Sequence, residues 1–321
     1  MFVLCLLIVI GVAWFYPEMG SGAGLAAIAN WGVSVIFFFY GLRLNWVKIC
    51  EGLSNLRLHV VVHLATFVLF PLLVLPFAWY FRNAEENLRL LWLGTFFLAT
   101  LPSTVSSSVV MVNLARGNVP AAIFDASISS LLGVFLTPLW MQVFVASSGE
   151  GKSLGPVVVS LVLQVIVPVV LGIVLHRGLG WFSQRYDKTL RQFDQAVILL
   201  IVYTSFCHSF SEKMFAGMSF HTLLVCTVGL VALFFLVYGI LHVVCRLLKF
   251  SREDTITTLF CGSKKSLVHG TVMSQVILAD PRLAGILILP TMIYHAMQLL
   301  VVSVIARRKG GEVQRLDGAG R

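Results

Sequence analysis

A chain of 321 residues with 58% hydrophobic and 12% charged side chains cannot cover a surface that faces water, since soluble domains carry about 25% charge. A mean hydropathy of +0.93 and unbroken apolar runs such as residues 220–245 exclude a soluble fold. They also exclude an outer-membrane barrel, whose strands alternate in polarity. The net charge of +9 would suggest nucleic acid as a partner of a soluble protein, but in a membrane chain the placement of charge reports orientation, and no nucleic acid is expected.

Apolar runs bounded by charges, Gly or Pro predict ten spanning helices, at about 1–16, 26–42, 58–81, 88–113, 119–146, 155–176, 193–211, 218–248, 255–278 and 283–306. The first, MFVLCLLIVIGVAWFYP, lacks the basic start and small-residue cleavage site of a signal peptide. At about 16 residues it is short for roughly 30 Å of hydrocarbon, so a few residues are expected before Met1. Placing both termini in the cytoplasm puts sixteen basic residues on that side, among them Arg43, Lys48, Arg57 and the run Arg307, Arg308, Lys309. The opposite side then holds only Arg82, Arg89, Lys152, Lys213 and Arg282. The expected location is the inner or plasma membrane, with lipid as the surrounding partner. The six cysteines, Cys5, Cys50, Cys207, Cys226, Cys245 and Cys261, have no CxxC spacing, and five lie in apolar runs, which indicates packing rather than disulfides or a metal cluster.

Two spans are interrupted by polar sequence. In the fourth, Pro102 removes a backbone donor and is followed by Ser103, Thr104, Ser106, Ser107 and Ser108. In the ninth, Gly262 precedes Ser263, Lys264, Lys265 and Ser266. The breaks lie 160 residues apart, and the first and sixth spans start about 154 apart. Equivalent breaks in two five-helix halves, 1–150 and 151–307 with a cytoplasmic tail 308–321, predict an all-α membrane protein built from an inverted repeat. In such folds the broken helices mark a substrate site near the midplane. Hydroxyls at a break can also serve only to bond freed carbonyls; five in six positions, matched by a second break, suit a lining for ion or substrate. Half-helix N-termini there favour an anion.

Lys264 and Lys265 are each costly at a bilayer centre, by about 2.5–3.5 kcal/mol. Of the acids only Asp125 lies inside a span, in PAAIFDASISSLLG together with Ser129. Its expected partner is Lys264 or Lys265, as a structural lock or as a proton- or ion-linked switch. Asp194, at a helix edge, reads as a solvated cap. His63, His269 and His295 each stand alone in apolar sequence and read as packing residues; His269, four after Lys265, shares the face of the break. No HExxH, GxSxG, Walker loop or dinucleotide fingerprint occurs in a suitable context, so no enzyme is expected.

The stretch SSSVVMVNLARGNVPAAIFDASISSLLGVFLTP, Ser106 to Pro138, resembles the fourth and fifth helices of the bile acid:sodium symporter superfamily, above all in LARGNV followed after seventeen residues by TP. FCGSKKSLVHG and FFFYGLRL resemble the branch that contains sodium/bile acid cotransporter seven and its bacterial relatives, and the resemblance spans all ten helices. It implies a panel domain and a core domain in which the broken fourth and ninth helices cross, with two sodium ions beside the crossing. It also implies where the ion ligands fall. A Ser-Asn pair falls on Ser108 and Val109, two hydroxyl ligands on Ala122 and Ala126, a shared glutamate on Phe260, the following glutamine on Lys264, and a third-helix glutamine on Thr66. Only Ser108 keeps a ligand side chain for sodium. The expected function is secondary active transport of a small organic anion, with sodium or proton as the coupling ion and no other cofactor. The alternatives are a non-transporting regulator of the same fold, locked by Asp125 against a lysine, and an intramembrane enzyme built on Asp125, His269 and Ser266.

Overall fold

The computed structural model describes residues 2–20, 23–43, 55–145, 154–211, 213, 219–277 and 283–319. Among these residues every regular element is helical. The principal helices are α1 (Phe2–Phe15), α2 (Ala23–Arg43), α3 (Leu56–Val74), α4 (Phe77–Phe81), α5 (Glu86–Thr100), α6 (Ser106–Leu114) and α7 (Val119–Val145). They continue as α8 (Gly155–Arg185), α9 (Asp187–Ser211), α10 (Phe220–Leu247), α11 (Arg252–Gly262), α12 (Leu267–Ile277) and α13 (Ala284–Ala319). Six of them, α3, α7, α8, α9, α10 and α13, are long and apolar enough to cross a membrane. The predicted third span is divided at Leu75–Pro76 between α3 and α4. Cys50, Lys48, Lys152 and Arg282 lie outside the described residues.

Two packing groups are evident. In one, α2 lies against α8, and α9 lies against both α1 and α2. The α2–α8 contact is backbone to backbone: a Cβ on Gly41 would lie 2.1 Å from the Val169 carbonyl oxygen, and one on Gly172 would lie 2.2 Å from that of Phe38. Small residues permit this approach where helices have no water to drive them together. Arg43, at the end of α2, donates through Nη2 to Asp194 Oδ2 at 2.6 Å. Asp194 is therefore an ion-pair partner and not a solvated cap. In the other group, α13 packs on α5, α6, α10 and α12, while α11 packs on α3, α6, α7 and α10. The groups meet where α9 contacts α12 and α13 and where the start of α8 contacts α7 and α12.

Proline shapes the interior of this second group. Pro71 has no N–H for the carbonyls four and five residues before it, and the turn ahead of it, Ala65–Leu69, widens to a π-helix. The same pairing recurs in α8, with a π turn at Val162–Ile166 ahead of Pro168. The freed Phe67 carbonyl accepts a bond of 2.8 Å from Trp140 Nε1. The freed Thr66 carbonyl is taken by a residue from the far half of the chain, as described below.

Candidate functional site at the crossing of two broken helices

The first break runs from Leu101 to Val105. Because Pro102 cannot donate, α5 ends at Thr100, and Leu101 is extended (φ −67°, ψ 151°). The second runs from Ser263 to Ser266, between α11 and α12. The two stretches touch directly: Ser266 N donates to the Pro102 carbonyl at 2.9 Å, and Ser103 Oγ donates to the Cys261 carbonyl at 2.7 Å. The two breaks therefore cross at this contact.

Buried backbone groups must find partners, and an α-helix leaves its last carbonyls unbonded. Those at the end of α5 are taken by side chains from elsewhere. Thr137 Oγ1 donates to the Thr100 carbonyl at 2.8 Å, and Lys265 Nζ donates to the carbonyls of Ala99 (2.7 Å) and Leu101 (2.9 Å). At the second break, Tyr294 Oη donates to the Ser263 carbonyl at 2.7 Å. Gln298 clamps Lys265 as a strand neighbour would: its Oε1 accepts from Lys265 N at 2.9 Å, and its Nε2 donates to the Lys265 carbonyl at 2.8 Å. Ser103 N donates to Ser129 Oγ at 2.9 Å. Ser263 Oγ bonds back to the Leu259 carbonyl at 2.6 Å, and Ser266 Oγ meets His269 Nδ1 at 3.0 Å.

The adjacent lysines part company because the backbone between α11 and α12 is unwound. Both are fully buried. The third proton of the Lys265 ammonium goes to the Thr66 carbonyl at 2.7 Å, so Thr66 contributes its main chain, while its own hydroxyl bonds back to Val62. Lys264 Nζ points the other way and donates to Ser107 Oγ at 2.7 Å. Ser107 donates to Thr104 Oγ1 at 2.9 Å, and Thr104 is 2.8 Å from Ser108 Oγ. These hydroxyls lie at the start of α6, whose N-cap position, Val105, supplies no side-chain bond to the first-turn amides. The side chain of Ser106 lies outside the described residues. An ammonium beside the positive end of an uncapped helix concentrates positive potential at one point.

Asp125 does not pair with either lysine. It sits on the face of α7 that meets α3, where its Oδ1 is 2.7 Å from His59 Nδ1 and 3.7 Å from His63 Nε2. Its Oδ2 has no hydrogen-bond partner among the described residues. Main-chain carbonyls take the Lys265 ammonium, and Lys264 donates to an α6 hydroxyl. The lock that would suit a non-transporting regulator is therefore absent. The Asp125, His269 and Ser266 trio is not assembled either: Ser266 meets His269, but His269 Nε2 has no hydrogen-bond partner among the described residues, and its ring lies against Phe37 of α2 at 5.2 Å between centroids. Sequence reasoning missed His59, although RLHVVVHL places it four residues before His63 on one helical face. It also missed Gln298, Tyr294 and Thr137, polar residues whose partners lie far away along the chain.

The LARGNV motif has a structural account. Arg116 adopts a left-handed conformation (φ 57°) that ends α6, and Gly117 N bonds the Val112 carbonyl at 2.8 Å. Asn118 then caps α7: its Oδ1 accepts from Ala121 N at 3.1 Å, while its Nδ2 donates to Asp254 Oδ1 at 2.9 Å. Asn55, ahead of α3, donates to the other carboxylate oxygen at 2.8 Å. Asp254, in the first turn of α11, thus ties α3 and α7 to that helix.

Long apolar helices, two of the remaining helices broken and crossed inside them, and buried cations at the crossing define a multi-pass membrane protein with a transporter-type core. The model of the SBF-like CPA transporter family matches residues 1–310, and the chain belongs to that family. It is 40% identical to the uncharacterized protein PA2026 of Pseudomonas aeruginosa over 310 residues, which is 96% of this chain and 92% of the relative. It is 36% identical to the putative symporter YfeH of Escherichia coli over 98% of this chain and 94% of that protein. It is also 29% identical to sodium/bile acid cotransporter 7 of Xenopus tropicalis over 95% of this chain and 90% of that protein.

Proposed function

We propose that this chain is a secondary transporter of a small organic anion, bound at the crossing by the Lys264 ammonium, the Ser107, Thr104 and Ser108 hydroxyls and the first-turn amides of α6. The observation that carries this reading is Lys264 itself. It is a fully buried cation whose described hydrogen bond is to one neutral hydroxyl, beside a helix N-terminus without a side-chain cap. Burying an uncompensated ammonium costs several kcal/mol, and an anion arriving there offsets that cost. The printed name putative symporter agrees with transport, and the name sodium/bile acid cotransporter 7 agrees with an organic anion as cargo.

The fold acts as ten spans in two inverted halves, 1–150 and 151–307, with both termini and the tail 308–321 in the cytoplasm of an inner or plasma membrane. Reciprocal packing supports the repeat: α2 of the first half lies on α8 of the second, and α1 lies on α9. Coupling does not run through a pair of sodium sites, because Val109, Ala122, Ala126 and Phe260 occupy the ligand positions with side chains that cannot coordinate. Ser108 is engaged with Thr104. A proton, exchange or the substrate's own gradient drives movement instead.

The test is uptake of labelled bile acids, other carboxylates and sulfates into proteoliposomes, with and without a sodium gradient, for the natural chain and Lys264→Gln. At about 4 Å and an effective dielectric near 20, one ammonium is worth up to about 4 kcal/mol. After allowing for the amide that replaces it, Lys264→Gln should weaken anion binding by about 10- to 100-fold. Uptake stimulated saturably by sodium and unchanged in Lys264→Gln would sink the proposal.

A further inference from the structure

The ammonium of Lys265 sits in an unusual shell. Its three donors reach three main-chain carbonyl oxygens, of Thr66, Ala99 and Leu101, at 2.7, 2.7 and 2.9 Å. The face of Phe70 lies 4.2 Å from Nζ. None of these groups belongs to the α11–α12 segment that carries the lysine, and among the described residues the shell holds no carboxylate. Each oxygen is available for a reason unrelated to lysine. The Thr66 carbonyl is freed by Pro71 and the π turn ahead of it. Those of Ala99 and Leu101 are left by the end of α5, whose next turn Pro102 prevents. The Ala99 carbonyl, in the last turn of α5, also brings the negative end of that helix to the ammonium. Neutral carbonyls that replace a hydration shell are the means by which proteins hold dehydrated monovalent cations, and an aromatic face adds to the attraction.

We propose that the Thr66, Ala99 and Leu101 carbonyls with the Phe70 ring form a monovalent-cation site that the chain fills permanently with its own Lys265 ammonium. The tether makes the charge non-exchangeable, so this site holds the crossing together without a free ion and contributes nothing to ion coupling. Removing the tether while leaving the cage opens it to a free cation of ammonium or potassium size. The inference concerns how the crossing is held and stands whether or not the chain carries an anion.

The experiment compares thermal melts of the detergent-purified full chain, Lys265→Ala and Lys265→Met in choline, sodium, potassium, ammonium and ethylammonium chloride at constant ionic strength. The natural chain should melt at one temperature in all five. Lys265→Met fills the space without donors and should melt lower, by on the order of 10 °C, in every salt. Lys265→Ala should melt low in choline and recover in a saturable manner with ammonium, ethylammonium or potassium, by several degrees at a hundredfold excess over the dissociation constant. If Lys265→Ala accumulates as folded protein only when prepared with one of those cations, that too supports the site. A Lys265→Ala chain that melts alike in all salts, or folds in none, overturns the proposal, as does a Lys265→Met chain as stable as the natural one.

Discussion

Gln298→Met removes the clamp on the second break while keeping side-chain volume, so its effect isolates polar satisfaction from cavity formation. Gln298 and Lys265 are both fully buried, so water cannot take over the bonds of 2.9 and 2.8 Å that the amide makes to the Lys265 backbone. Each orphaned buried backbone group costs about 1–3 kcal/mol, giving roughly 2–6 kcal/mol for the pair. In a protein of this size that corresponds to a fall in melting temperature of about 5–15 °C. The assay is a thermal melt in mild detergent followed by tryptophan fluorescence, for which the chain carries seven reporters. His295→Ala provides the control: it deletes the 2.9 Å contact between His295 Nδ1 and Gln298 Nε2 but leaves both Gln298 bonds to the Lys265 backbone in place, and should lower the melt by less. A Gln298→Met chain that melts within about 1 °C of the natural one would refute the claim that unwound backbone at this depth depends on side-chain partners.

Asp125→Ala should destabilise by about 3 kcal/mol, since it strips buried His59 and half-buried His63 of their carboxylate. In a double-mutant cycle with Lys264→Met, itself of small effect on stability, the two changes should add within about 0.5 kcal/mol, whereas a coupling above 1 kcal/mol would restore the lysine as partner. Asn118→Ala should cost about 1–2 kcal/mol through the lost cap of α7; because the same side chain bonds Asp254, the cycle with Asp254→Ala should be strongly non-additive in chemical denaturation. Gly41→Ala places a Cβ 2.1 Å from the Val169 carbonyl oxygen and should separate α2 from α8, lowering folded yield by size-exclusion chromatography, with an overpacking cost of at least about 1–3 kcal/mol.

Hydropathy alone located the long helices, because a span in lipid must be apolar and must satisfy its own backbone. The breaks were legible for a related reason: Pro102 and the Ser263–Ser266 stretch are polar and proline-bearing sequence where neither is tolerated without a purpose. What the sequence could not convey was direction. Lys264 and Lys265 are neighbours, and on a continuous helix they would point about 100° apart. Which of them turns toward α6 and which toward α3 depends on backbone unwound by the crossing itself. The partner of Asp125 is hidden in the sequence as well: the lysines are the conspicuous cations, while His59, on the face of α3 that meets α7, stands there as one more residue of an apolar run.

The three charges buried at or beside the crossing are held on different terms, and the difference separates scaffold from site. Lys265 has as many acceptors as protons, so a ligand arriving there would have to displace bonds already made. Asp125 is held by His59, with one oxygen unbonded among the described residues. Lys264 alone combines full burial, one described bond to a neutral group and a helix N-terminus as neighbour. A charge already compensated gains little from a ligand, whereas one left short gains the most. Binding energy at this crossing is therefore concentrated at Lys264, and substitutions at Lys265 and Lys264 should divide accordingly: the first read as loss of stability, the second as loss of anion affinity at nearly unchanged stability.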